Sequence, residues 1–317
     1  MKTSAVVMQA PQDLVLSQLE LEPAGENDLV VDIDYSGIST GTEKLFWTGR
    51  MPAFPGMGYP LVPGYESVGQ VVSAGPQARH RVGEHVFVPG ARCFGPVRGL
   101  FGGAAARLVV ADDRVYNVDA AMGESAVLLA LAATAYHAVS GGGKRHPVVP
   151  PDLIVGHGVL GRLLARLTVA AGGPPPTVWE RDPRRAEGAC GYEVITPESD
   201  RCRDYRAVYD VSGDARILDS VMPHLRKGGE IVLAGFYTEP LSFNFAPAFM
   251  REAQIRAAAE WERADMLAVK QLAEEGRLDL SDLITHRERA EHASDAYRTA
   301  FRDAACLKMV LDWRAVQ

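Results

Sequence analysis

The residues whose types and spacing point most directly to chemistry are Gly156-His157-Gly158-Val159-Leu160-Gly161. They fit GxGxxG, follow the unbroken apolar run Leu153-Ile154-Val155, and open a helix-like stretch from Gly161 to Ala171. In that setting each glycine has a task. Gly156 permits a tight turn, Gly158 lets a pyrophosphate approach the backbone around Val159 and Leu160, and Gly161 lets helix lie close to strand. The helix N-terminus then stabilises the phosphate charge. A chain with 31 glycines produces such a motif by chance, so a second signal matters. Glu180 supplies it, 19 residues past Gly161 and at the end of the predicted strand Thr177-Val178-Trp179. An acid there accepts the hydroxyls of an adenosine ribose and repels a 2′-phosphate, which favours NAD. Arg181 and Arg184 follow at once and could receive that phosphate, so NADP stays open. His157 either touches the pyrophosphate or moves a proton, or it is a solvent-facing spacer.

The elements that must position this loop alternate strand and helix. Ala207 to Val211 and Glu230 to Ala234 read as further buried strands, with a helical Ala215 to Leu225 between them. That alternation predicts βαβ units and a parallel, doubly wound sheet. The first ~125 residues differ. Leu29 to Tyr35 alternates apolar and polar, and Val68 to Val72, Val86 to Val88 and Leu108 to Val110 are short strands between Gly and Pro turns, so a small barrel or sandwich is expected. Met1-Lys2-Thr3-Ser4 runs straight into a strand-like segment, with no signal-peptide core. Ser125 to Val139 is Ala/Leu-rich and helix-prone. Gly-Gly-Gly-Lys at 141–144 and the prolines 147, 150 and 151 mark a break. Past Trp261 the chain reads as helical over 264–275 and 290–301, closing with a strand from Lys308 to Leu311. The whole is an α/β chain.

Composition bounds the rest. At roughly 150 residues per domain, 317 residues suggest two domains, or one large one. Hydrophobic residues at 47% and charged residues at 23% fit a globular chain rather than a disordered one. Lys plus Arg number 33 against 40 Asp plus Glu, a net charge of -7, with no basic run for nucleic acid or an anionic membrane. No apolar stretch reaches the ~18 residues of a membrane span. Four scattered cysteines form neither a disulfide framework nor a zinc module. A reducing, cytoplasmic compartment is expected.

Further landmarks give the chain a family likeness. They are Ser36-Gly37-Ile38-Ser39-Thr40-Gly41-Thr42-Glu43, Gly64-Tyr65-Glu66 before Val68-Gly69, Gly83-Glu84-His85-Val86, Gly102-Gly103-Ala104-Ala105, Asp210-Val211-Ser212-Gly213, Leu225 to Gly229 and Ile284-Thr285-His286-Arg287. With the glycine loop they resemble the medium-chain dehydrogenase/reductase superfamily nearly end to end. The resemblance implies a GroES-like catalytic domain from residues 1–128 and 262–317, with a Rossmann domain at 129–261. It also puts Ser212, Gly235, Phe236 and Thr134 on the cofactor. Zinc-dependent members read GICGTD and GHE, where Cys and His are ligands. Here Ser39-Thr40 and Tyr65 stand in those places, and Leu131 to Thr134 offers no third ligand. The family's four-cysteine lobe is reduced to Cys93. No metal is expected.

Lys44 to Pro52, Pro63 to Ser67, Arg162 and Ala259 to Arg263 add a narrower resemblance, to a branch of the superfamily that acts on tetrapyrroles in bacteriochlorophyll biosynthesis. It implies NAD-dependent oxidation of a hydroxyethyl group to an acetyl group on the macrocycle. Without a Lewis acid, a side chain must take or relay the alcohol proton. Thr42 holds the family's proton-relay position. Tyr65 either joins the relay or fills the volume of the lost metal. Glu66 is either a base with a raised pKa or a structural acid. Phe46, Trp47, Met51, Phe54 and Tyr59 form an aromatic and Met-rich stretch that reads as a loop. It is either a wall for a flat ring or ordinary packing. Other expectations are a quinone or enoyl reductase using NADPH and a noncatalytic nucleotide-binding redox sensor. A homodimer is among the expected partners.

Overall fold

The computed structural model describes residues 1–141 and 148–316. Most of the expected Gly-Gly-Gly-Lys break and Pro147 lie outside the described residues. The chain divides into two compact units, Met1–Ala130 with Ser281–Gln317, and Leu131–Leu280.

The first unit is β-rich, as its alternating strands require. Asp28–Ile38 is its central strand and pairs antiparallel with Ser67–Ala74, Arg107–Ala111 and Met309–Asp312. Their inward side chains, with Val86, Val88 and Leu108, form a buried core. Gly69 is obligatory there, because a Cβ would overlap the Asp32 carbonyl of the facing strand. The last strand, Met309–Asp312, pairs Met309 with Ile38 and Asp312 with Tyr35, so both chain ends build this unit. Lys2–Ala10 and Asp13–Glu20 form a hairpin in a second, four-stranded sheet.

The second unit holds six parallel strands. Taken from one edge they are Glu193–Ile195, Thr177–Trp179, Leu153–Val155, Tyr205–Asp210, Leu225–Leu233 and Gln254–Ala257. In chain order this is 3-2-1-4-5-6, the doubly wound arrangement, and the order reverses between Leu153–Val155 and Tyr205–Asp210. Ligands of such sheets bind outside the carboxyl ends of the strands at that reversal. The helix Val159–Ala170 follows the first strand directly.

Several expectations need correction. The helix expected over 215–225 is only Ile217–Val221 plus one tight turn, because Pro223 interrupts it and Leu225 already begins a strand. Helix Arg263–Glu274 falls in the second unit, where Asp265 accepts a 2.7 Å bond from His137, rather than in the first. A helical run from Ala120 to Ser140 is long and apolar enough to cross a membrane by length and composition alone. Gly123 breaks its helical geometry, and its stretch from Ala126 to Ala130 is buried in the protein.

Candidate functional site

The glycine loop has the geometry its sequence requires. Gly156 takes φ +105, which only glycine adopts freely, and donates from its N–H to the Trp179 carbonyl at 2.9 Å. A Cβ at Gly161 would overlap the Gly156 carbonyl, so the helix can lie this close only with glycine. A Cβ at Gly158 would meet nothing within 4 Å. No side chain caps the twelve-residue helix that starts at Val159, so its first N–H groups are open to an anion. Ser212 lies against the loop, with its N–H 3.4 Å from the place a Gly156 Cβ would occupy. Gly235 packs on Val211, and Phe236 is exposed. These backbones fit a dinucleotide.

Glu180 does more than face a ribose. Its Oε1 accepts the N–H groups of Arg181 and Asp182 at 2.8 and 2.9 Å, and its Oε2 accepts the His157 N–H at 3.1 Å. The carboxylate therefore pins the glycine loop to the neighbouring strand end. Oε1 is filled, while Oε2 keeps one lone pair. His157 departs from every reading of its side chain. The ring is fully buried, with Nδ1 2.6 Å from the Arg185 carbonyl and Nε2 2.8 Å from the Tyr192 hydroxyl. Burial holds its pKa down to about 4, so it neither meets solvent nor exchanges a proton near neutrality. Arg162, which carried only a resemblance in the sequence, ties the loop from below. Its guanidinium donates to the carbonyls of His157, Arg185, Glu187 and Gly188. Thr134 sits half-buried on the helix Leu129–Ser140.

In the first unit, Tyr65 bonds to Ser39, one of the two residues, Ser39-Thr40, that stand where the resemblance implies a cysteine ligand. The Tyr65 hydroxyl donates to Ser39 Oγ at 2.7 Å, and the Thr42 hydroxyl is also bonded to Tyr65. Two hydroxyls and a phenol lack the thiolate and imidazole that bind zinc, and among the described residues no group of three or more His, Cys, Asp or Glu could hold a metal ion. The residues present do not fit zinc. Burial, followed by the nearby Glu66 charge, pushes the Tyr65 phenol well above its ordinary value. Tyr65 also packs edge-on against Phe101, with ring centres 5.1 Å apart.

Behind this trio lies a buried charge cluster. Glu66 is fully buried, and its Oε2 is 2.6 Å from the ammonium of Lys308, itself 1% exposed. Gly37 makes room, because a Cβ there would strike that carboxylate. Glu66 is thus the partner of a buried lysine. Glu43, also fully buried, accepts the Ser39 N–H at 3.0 Å and the Tyr297 hydroxyl at 2.7 Å. Burial raises its pKa to about 7, although the Tyr297 bond lowers it in part. Sequence reasoning passed over Ser39 as a hydroxyl partner, Glu43 as a buried acid, Lys308 as more than the start of the last strand, and Tyr297 altogether.

The aromatic stretch also needs correcting. Phe46 and Trp47 lie on a helix, Thr42–Thr48, closed by Gly49 at φ +70, and not on a loop. Phe46 is wholly buried in the core and cannot face a ligand. Trp47 packs on Phe301, with centroids 5.5 Å apart. Met51 and Tyr59 are partly buried against the core, whereas Phe54 is 40% exposed.

A GroES-like β unit made from both chain ends, and a 3-2-1-4-5-6 sheet with a glycine-rich first turn, define a medium-chain dehydrogenase. Comparison with known proteins agrees. The alcohol dehydrogenase GroES-like domain matches residues 25–120. The 2-desacetyl-2-hydroxyethyl bacteriochlorophyllide A dehydrogenases of Cereibacter sphaeroides and Rhodobacter capsulatus are 58% and 59% identical to this chain, over 99% of it and 99% of each of them. A short chain alcohol dehydrogenase from Escherichia coli complexed with NADH superposes with TM-score 0.83 at 20% identity, covering 98% of this chain and 99% of that one. A Sinorhizobium meliloti dehydrogenase bound to NADP gives 0.81 at 18%, covering 98% and 99%. The chain belongs to the medium-chain dehydrogenase/reductase superfamily. It is an oxidoreductase of the alcohol dehydrogenase type, and it uses a nicotinamide cofactor.

Proposed function

We propose that this protein oxidises the 3-(1-hydroxyethyl) group of a bacteriochlorophyllide to a 3-acetyl group, with NAD as acceptor and no catalytic zinc, in bacteriochlorophyll biosynthesis. The observation that carries this reading is identity of 58–59% over essentially the whole of two chains named for that substrate. All the relatives reported above are dehydrogenases, so neither the quinone or enoyl reductase nor the noncatalytic sensor is favoured.

Oxidation of a secondary alcohol removes a hydride from carbon and a proton from oxygen. The nicotinamide, when bound, accepts the hydride. The chain's own part is to hold the cofactor and move the proton. Gly156 to Gly161, the free N–H groups of the following helix and the open lone pair of Glu180 Oε2 support the first task, with Ser212, Gly235, Phe236 and Thr134 around them. Thr42, Tyr65 and Ser39 support the second, as a hydroxyl relay. A phenol with a raised pKa does not stand as phenolate, so it passes a proton on rather than storing one, and the alcohol proton ends on solvent water, which the half-buried Thr42 end of the trio can meet. The Glu66–Lys308 pair and the Glu43–Tyr297 bond fix the backbone that carries the trio. A ketone conjugated to the macrocycle is easier to form than an isolated one, which lowers the demand for a Lewis acid. Trp47, Met51, Phe54 and Tyr59 are the proposed ring contacts, without Phe46.

A second copy is the proposed protein partner, through the open edge strand Gln254–Ala257 and the exposed Phe245, Phe249 and Met250 beside it. A monomer by light scattering at working concentration removes that part. The main test supplies purified protein with NAD and the hydroxyethyl bacteriochlorophyllide. A shift of the long-wavelength absorption band matched by formation of NADH supports the reading, and no turnover with either NAD or NADP overturns it.

A further inference from the structure

We propose that Asp182 sets the cofactor preference, by holding Arg184 away from the adenosine 2′ position. The inference rests on the reading above that the ribose lies at Glu180. Past Glu180 the chain turns through Arg181 and Asp182 into a one-turn helix, Pro183–Ala186. Asp182 caps that turn, with Oδ1 accepting the Arg184 N–H at 3.0 Å. The same carboxylate takes the Arg184 guanidinium in a two-pronged grip, Nε to Oδ1 at 3.0 Å and Nη2 to Oδ2 at 2.8 Å. Arg181 faces another carboxylate, 3.4 Å from Glu198. Of the three arginines at this corner, Arg181 and Arg184 are therefore turned onto acids, and Arg185 follows them on the same turn.

The two cofactors ask for different things here. NAD presents a 2′-hydroxyl, which needs only an acceptor. NADP presents a phosphate monoester carrying about −1.5 to −2 charges, and arginine recognises that group best with its fork free. At this corner the phosphate would meet two carboxylates, Glu180 and Asp182, and an arginine whose fork is occupied. An exposed ion pair contributes little to stability. Its consequence is electrostatic: while Asp182 holds Arg184, that positive charge is neutralised and its fork is not free for a phosphate. Arg184 also holds the Asp182 carboxyl below its usual range, so the acid stays charged at neutral pH.

The test is Asp182→Asn, which keeps a side chain able to cap the turn but removes its charge. Dissociation constants for NAD and NADP are measured on the purified protein by fluorescence titration at low and high salt. NADP is expected to tighten by about tenfold at low salt, and by less at high salt, with NAD nearly unchanged. Adding Arg184→Ala should abolish the gain. Asp182→Ser, a second capping residue, repeats the test should the asparagine variant fold poorly. An unmoved NAD to NADP ratio overturns the role of Asp182, as does a gain that survives Arg184→Ala. An unmodified protein that already binds NADP more tightly than NAD overturns the NAD reading itself.

Discussion

Glu43 gives the sharpest test of the buried cluster. Its side chain is wholly enclosed, its Oε1 accepts the Ser39 N–H and its Oε2 accepts the Tyr297 hydroxyl. The perturbation is Glu43→Gln, which preserves the shape. The amide oxygen can accept from Ser39, and the amide nitrogen can donate to Tyr297 once that hydroxyl rotates. What the variant loses is titration. Burial raises the Glu43 pKa from an ordinary 4.5 to about 7, so the folded state favours the protonated form more than the unfolded chain does. That preference contributes stability fully below the unfolded pKa, and it is lost as pH rises through the folded one. The difference corresponds to about 3 kcal/mol, lost between pH ~4.5 and ~7. The assay is urea unfolding of both proteins at several pH values from 5 to 8. Other titrating groups cancel when the two are subtracted. The parent should lose stability relative to the glutamine variant by about 2–3 kcal/mol across this range. A difference between the two that stays flat with pH would show that Glu43 is ionised throughout, and the account of its burial would fail.

Tyr65→Phe keeps the ring and its contact with Phe101 but removes the hydroxyl between Thr42 and Ser39. Turnover should fall by roughly 10²–10⁴-fold with cofactor and substrate binding little changed, and near-normal kcat would leave Tyr65 as filling only. Gly161→Ala puts a methyl group onto the Gly156 carbonyl. It should destabilise the protein by about 1–3 kcal/mol and weaken NAD binding, so thermal unfolding and a cofactor titration identical to the parent's would count against the loop geometry. Metal analysis of active protein should find no stoichiometric zinc, and chelators should leave its rate unchanged. About one zinc per chain, with activity lost on chelation, sinks the metal-free relay.

The parts of this fold that were readable in the sequence are those set by neighbours in the chain. Leu153–Val155 and Thr177–Trp179 were placed to the residue, because the first is an unbroken apolar run that ends at Gly156 and the second starts straight after three prolines. The glycine loop was equally local, and each of its three glycines has the steric reason its motif implied. The helix Thr42–Thr48 was missed because the aromatic, Gly-rich and Pro-rich residues after it dominated the reading. Gly49, a helix-ending glycine, was the signal that could have found it. His157 was misjudged for another reason. Its partners, Arg185 and Tyr192, lie 28 and 35 residues away on segments that only the folded sheet brings beside it. Distance along the chain hid the charge cluster most completely. Glu43 meets Tyr297 across 254 residues, and Glu66 meets Lys308 across 242. One clue was nevertheless local. Lys308 stands alone in the apolar run Cys306-Leu307-Lys308-Met309-Val310-Leu311, which ends in a strand of the core sheet. A lysine there is tolerated only if an acid waits for it inside. Tyr65-Glu66 follows a left-handed glycine, Gly64 at φ +98, and leads into Ser67–Ala74, the strand on the other side of Asp28–Ile38. The acid was therefore present in the same motif whose missing histidine had argued against a metal. That motif supplies both the phenol of the relay and the carboxylate that neutralises the lysine behind it.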